Sequence, residues 1–254
     1  MSTSGPPAAA AVYIVARSVH TVVTDGSTAK LVLRTFSPAD AHTFRAYRSD
    51  PATARFQSWD PATYASEEHG LSLCEIFCKE QNALGARVFG QTDLVTLRGR
   101  WLQLALDADG AHIGDIGVQI WADGSQATIG ITLLPAVTGR GYGRVAMRMA
   151  LDWLFAAVPV PVAGGELQSD GSRSQETAED EEIMDGVFLP GPAVRRVSAD
   201  IDARNERSLR LFDRVGFRKE GVHIQASFCK GELTDDVDVA ILRSEWMERK
   251  LPNV

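Results

Sequence analysis

The feature that most constrains the fold is a glycine loop set between two apolar segments, IGITLLPAVTGRGYGRVAMRMALDWLF. Ahead of the loop lies a short β-type run, and behind it Val145, Ala146, Met149, Ala150, Trp153, Leu154 and Ala157 recur at helical spacing. The loop Gly139-Arg140-Gly141-Tyr142-Gly143 therefore stands at a helix N-terminus. Such an end offers unpaired N–H groups and a partial positive charge. Glycine permits left-handed backbone and close approach of an anion. Arg140 and Arg144 add fixed charge, so the segment reads as a phosphate or pyrophosphate site.

Three architectures compete for this loop. A P-loop needs GxxxxGK[ST], and no Lys-Ser/Thr pair follows here. A Rossmann fingerprint is formally met by Gly141, Gly143 and Ala146, which would make the chain a nucleotide-binding oxidoreductase. Its context fails, because the strands ahead are joined by short turns and prolines stand where the acidic strand end belongs. Strands are expected at residues 101–106, 112–121 and 127–134, with turns at Asp107–Gly110 and Ala122–Ser125. That spacing describes an antiparallel meander.

The remaining elements follow from start and stop signals. Leu31–Phe36 reads as a strand, and Ser37-Pro38 opens a helix over 39–48. Asp60-Pro61 opens a second helix running to about Lys79, and residues 81–99 show no clean periodicity. Val197–Ile201 is a strand, Asn205 caps a helix ending at Gly216, and strands at 221–229 and 236–242 close the chain. Residues 1–28 read as an N-terminal tail that adds at most an extended segment, and 29–248 as one domain. Residues 160–193 are a flexible acidic insert. Eight acids and one arginine between Glu166 and Asp185 account for the whole net charge of −7, which leaves no basic stripe for nucleic acid. No run reaches the ~20 apolar residues of a membrane helix. Three cysteines, Cys74, Cys78 and Cys229, suit a reducing, cytoplasmic setting and buried helix thiols rather than a disulfide framework or a metal site.

Two motifs carry a family resemblance. Thr138-Gly139-Arg140-Gly141-Tyr142-Gly143 resembles the [R/Q]-x-x-G-x-[G/A] loop of the GNAT superfamily, with Thr138 where Arg or Gln is usual. Asn205-x-x-Ser208-x-x-Leu211-Phe212-x-x-x-Gly216-Phe217 resembles that family's NxxSxxLFxxxGF helix. The flanks LVLRTFSPADA and GELTDDVDVAILRSEW resemble the ribosomal-protein-alanine acetyltransferase-like branch. The resemblance implies an α+β fold. Its mixed central sheet contains the meander, splays at a coenzyme A cleft and carries helices on both faces.

It further implies an acetyl-CoA-dependent N-acetyltransferase acting on a primary amine, either a small molecule or a peptide N-terminus, as a monomer or homodimer. A non-catalytic acyl-CoA-binding regulatory module on the same fold is the alternative. Backbone groups of Leu133, Leu134 and Pro135 would pair with the pantetheine arm, and Thr138 to Arg144 would take the pyrophosphate. Asn205 would hold the pantetheine amides and Ser208 the thioester sulfur. The family's usual Glu base is missing, with Thr128 near its place, and Phe212 stands where many members have a Tyr acid. Asp115 is the preferred catalytic carboxylate, with Asp200 and Asp202 as rivals. Tyr47, Trp59 and Phe228 are the candidate substrate-pocket residues.

Overall fold

The computed structural model describes residues 12–22, 24–90, 98–156 and 194–249. The acidic insert and residues 1–11 lie outside the described residues. Eight strands form one sheet: β1 (Ile14–Thr21), β2 (Thr28–Thr35), β3 (Trp101–Ala108), β4 (Ala111–Ile120), β5 (Gln126–Leu133), β6 (Arg196–Asp202), β7 (Arg218–Cys229) and β8 (Glu232–Leu242). They lie in the order β1-β2-β3-β4-β5-β6-β8-β7. The helices are α1 (Ala41–Arg48), α2 (Pro51–Ala54), α3 (Glu67–Gly90), α4 (Tyr142–Phe155), α5 (Glu206–Val215) and α6 (Arg243–Glu248).

Residues 14–21, placed in the tail by the sequence, form the edge strand β1, antiparallel to β2 from Ile14↔Arg34 to Thr21↔Thr28. The meander β3-β4-β5 is present as expected. Among the named strands of the described residues, β5 and β6 are the parallel pair, through Gln126↔Arg196, Ala127↔Val197 and Thr128↔Ser198. Both strands continue beyond that point, β5 to Leu133 and β6 to Asp202, so the sheet opens into a wedge.

Local chemistry explains the helices. The Ser37 side chain accepts from Ala39 N–H, and Asp40 reaches back to accept from Ser37 N–H at 2.7 Å, a capping box that starts the turn into α1. The second helix starts later and runs further than the sequence suggested, from Glu67 to Gly90. Gly85 lies inside it because α3 crosses β2 there, and a Cβ would meet Thr35 Cγ2 at 2.6 Å. α5 ends at Gly216, whose φ of 112° is the left-handed conformation a helix stop uses.

Helices cover both faces. On one, α1 and α3 bury Phe36, Phe44, Tyr47, Cys74 and Cys78 against Ala105 of β3, with Phe44 and Phe77 stacked at 4.6 Å. On the other, Met147, Ala150, Leu151 and Leu154 of α4 join Leu31, Leu33, Leu104, Leu106, Ile116 and Ile129 in the main core. Phe212 and Val215 extend that core beneath α5 to Val237 and Val239 of β8. Burial pushes the Cys74 thiol up to about 11, which leaves it an inert packing group.

Candidate active site

The wedge between β5 and β6 opens beside the N-terminus of α4. Gly139 and Gly141 take φ values of 82° and 93°, conformations only glycine adopts without strain. Gly141 is the N-cap of α4 and no side chain caps the helix, so its first N–H groups remain open to a ligand. Gly143 sits where α4, α5 and β5 meet, and a Cβ there would touch Leu211 at 3.4 Å and Leu133 at 3.5 Å. Arg140 and Arg144 are exposed at the loop, as an anion site requires. The Tyr142 side chain is buried against the core, which leaves its backbone rather than its ring for a ligand. The Thr138 hydroxyl donates to the Pro135 carbonyl at 2.7 Å and so closes the turn ahead of the loop.

The exposed edge of β5 can be assigned from the ladder. Leu134 N–H donates to Ile113 O at 2.9 Å. Hydrogen-bonded pairs alternate along antiparallel strands, so the amide groups of Ile129, Ile131 and Leu133 turn toward the wedge. The expectation for Leu134 and Pro135 is thereby corrected. Leu134 N–H is engaged by β4, its carbonyl accepts from Val137, and Pro135 has no N–H. The backbone groups of Leu133 and Ile131 face the wedge without a partner on β4.

α5 faces the wedge from the other side. The Asn205 side-chain oxygen Oδ1 accepts from Ser208 N–H at 3.2 Å, a helix cap that leaves the side-chain amide nitrogen available. Ser208 is half-buried with its backbone held by this cap.

The three carboxylate candidates separate cleanly. Asp115 lies beneath α1 with only 2% of its surface exposed, and it accepts from the Tyr47 hydroxyl at 2.5 Å. Burial pushes its carboxyl up, partly offset by Arg48 and by the Tyr47 bond. An enclosed, hydrogen-bonded acid has no open route to a substrate amine, so the structure removes it from the base position. Tyr47 has no exposed surface and belongs to the same buried pair, which takes it out of the substrate pocket. Asp202 is gripped by Arg204 at 2.8 Å, and that bond holds its carboxyl below the usual range.

Asp200 differs from both. It is exposed, stands two residues past the last β5–β6 pair, and faces the α1 side of the sheet. Its cross-strand partner is Asp238, which sets a second carboxyl group beside it. Burial first, and then Asp238, push the Asp200 carboxyl up. His223 Nε2 lies 2.5 Å from Asp238, and Ser227 bonds Asp236 one pair along. The sequence reading missed His223, Asp236 and Asp238. The alternation Asp236-Val237-Asp238-Val239 was the signal that put both acids on one face.

Two aromatic candidates remain. Trp59 is half-buried, with its ring 3.8 Å from the Arg48 guanidinium and its indole N–H donating to Arg48 O at 3.1 Å. Phe228 pairs with Leu233, which alternates with Val237 and Val239, so it lies on the α5 face, away from Asp200. It is 73% exposed there. Cys229, its neighbour, turns the other way, and its sulfur reaches Gln57 O at 3.9 Å. Lys230 donates to Trp59 O. The β7–β8 turn thus closes on the segment after α2, around a cavity of about 420 Å³ whose walls include Ala54, Arg55, Arg204 and Glu232. Among the described residues no cluster of three metal-ligating side chains occurs, and no helix is long and apolar enough to cross a membrane.

Comparison with known proteins agrees with this geometry. No curated protein matches the chain. Among solved structures, an acetyltransferase (GNAT family) from Bacillus anthracis superposes with a TM-score of 0.58 at 16% identity, covering 91% of this chain and 99% of that one. RimJ of Mycobacterium smegmatis, in complex with CoA-disulfide, gives 0.60 at 17% identity, covering 93% and 89%. A spermidine N-acetyltransferase from Vibrio cholerae, in complex with CoA and spermine, gives 0.56 at 17%, covering 85% and 98%. These likenesses establish the shared fold. The family model described as Acetyltransferase (GNAT) domain matches residues 30–218. With its wedge, uncapped glycine loop and Asn205–Ser208 helix, the chain belongs to the GNAT family of acetyl-CoA-dependent N-acetyltransferases.

Proposed function

We propose that this protein acetylates a cationic primary amine, on a small molecule or a peptide N-terminus, and that Asp200 takes the proton the amine must lose. The observation that carries the reading is the parting of β5 and β6 beside an uncapped, doubly glycine-hinged helix N-terminus. Bound acetyl-CoA supplies the acetyl group as a thioester. The N–H groups from Gly139 to Gly143 hold the pyrophosphate, and the Arg140 and Arg144 side chains add charge. The free amides of Ile131 and Leu133 align the arm along β5, and the Asn205 amide nitrogen meets it from α5. The Ser208 hydroxyl is the group assigned to the sulfur, where it would stabilise the departing thiolate.

On the acceptor side the residues do two things. Asp200, Asp236 and Asp238 lie on one face of β6 and β8 and attract a protonated amine. Asp200 then removes a proton, since only the neutral amine is a nucleophile. Its raised carboxyl suits that task better than Asp202, which Arg204 keeps ionised. The spermine-bound relative is consistent with a polycationic acceptor. The three free thiols suit a cytoplasmic setting.

The test is thiol release from acetyl-CoA with a panel containing spermidine, an N-terminal peptide and an aminoglycoside. The expected result is amine-dependent turnover that Asp200→Asn lowers about 100-fold or more, the usual worth of a general base. Absence of amine-dependent release, or an Asp200→Asn enzyme as fast as wild type, would defeat the proposal.

A further inference from the structure

β1 lies outside the segment that matches the family, which begins at residue 30, yet it touches the centre of the pyrophosphate loop. His20, near the end of β1, is only 7% exposed. Its Nε2 stands 3.0 Å from the backbone carbonyl oxygen of Arg140, so Nε2–H donates to it. The ring meets Tyr142 edge-on, with centroids 5.5 Å apart at 67°. The strand is itself anchored, because Val22 is buried in the core and Val22 N–H and O both bond across the turn to Ser27 and Gly26.

The contact falls where the loop is softest. Arg140 is flanked by two glycines in left-handed conformation, Gly139 and Gly141. Two such hinges around one residue give the peptide wide rotational freedom, which a ligand would have to freeze on binding. An anion site also requires N–H groups turned inward and carbonyl oxygens turned away. A donor holding the Arg140 carbonyl on the β1 side supplies both: it fixes the peptide plane and keeps the oxygen clear of the phosphates.

We propose that β1 is a brace for the pyrophosphate loop and that His20 is its positioning residue, pre-organising the coenzyme A cradle without touching the reacting atoms. The inference rests on the assignment of residues 139–144 as the pyrophosphate site. It predicts that His20 matters only for ligands that carry the pyrophosphate.

The experiment is calorimetric titration of the full chain with CoA and, separately, with pantetheine, which lacks the pyrophosphate. His20→Phe keeps a ring against Tyr142 and removes the donor, and His20→Gln restores one. A single neutral hydrogen bond is worth about fivefold in affinity. The expected result is a CoA dissociation constant raised about fivefold in His20→Phe, largely recovered in His20→Gln, with pantetheine affinity unchanged in both. Unchanged CoA binding in His20→Phe, an equal loss for both ligands, or no recovery in His20→Gln would overturn the brace. If wild-type protein binds pantetheine but gains nothing from the pyrophosphate of CoA, the loop assignment itself fails, and the brace with it.

Discussion

The buried Tyr47–Asp115 pair tests the separation of structural from catalytic carboxylates. Both side chains are at most 2% exposed, and the hydroxyl donates to the carboxyl at 2.5 Å. Tyr47→Phe removes the donor and strands a buried polar group, a loss of about 1–3 kcal/mol. The loss depends on pH with a definite sign. Burial raises the folded carboxyl, while the Tyr47 bond is among the influences that lower it, so Tyr47→Phe raises it further. Between the unfolded value, about 3.9, and the raised folded value, the native state holds more protons and stability falls as pH rises. Each additional unit of elevation extends that fall by about 1.4 kcal/mol. The Tyr47→Phe deficit should therefore sit near the lower end of the range at pH 4 and grow toward neutrality. Asp115→Asn, which keeps an acceptor for Tyr47 but cannot ionise, should flatten the pH dependence of unfolding and hold kcat within about threefold of wild type. Urea unfolding followed by fluorescence from pH 4 to 8, with steady-state kinetics beside it, checks both statements. A properly folded Asp115→Asn enzyme that has lost turnover would refute the reasoning and return Asp115 to the base position.

Further outcomes follow from the same geometry. Because Asp238 raises the Asp200 carboxyl, activity should climb with pH through that raised value, and Asp238→Asn should move the acidic limb of kcat/KM to lower pH. Gly141→Ala places a side chain at φ 93°, a strain of roughly 1–2 kcal/mol, and should weaken CoA by about 5- to 30-fold in calorimetry. Phe228→Ser, on the face away from Asp200, should leave kcat/KM for small amines unchanged in the thiol-release assay.

What could be read from the chain was local. The glycine loop, the Asn205 cap and the Gly216 stop each occupy a few consecutive residues, so their chemistry is visible without the fold. The meander was legible because its turns are short. The length of α3 was not, since Gly85 looks like a breaker until Thr35 is found against it. Asp115 looked open because alternation places it on a strand face but does not say that α1 lies over that face. Asp200 gained its character from Asp238, 38 residues on and one strand over. β1 was hidden for a different reason: a mixed polar strand at an edge has little periodicity, and its partner for His20 is a carbonyl, which no residue type announces.

The sheet is stitched across β5 and β6 by just three residue pairs. Mechanically it is two half-sheets, β1 to β5 and β6 to β8, joined at one corner like an open book. In the proposed site, a pantetheine arm that satisfied the free amides of Ile131 and Leu133 would act as a stretch of borrowed strand and finish the spine. Acetyl-CoA would then be part of the architecture as well as the acyl donor. At a concentration 100 times its dissociation constant it adds about 2.7 kcal/mol to the folded state. The two half-sheets should accordingly exchange their corner amides fastest when the coenzyme is scarce.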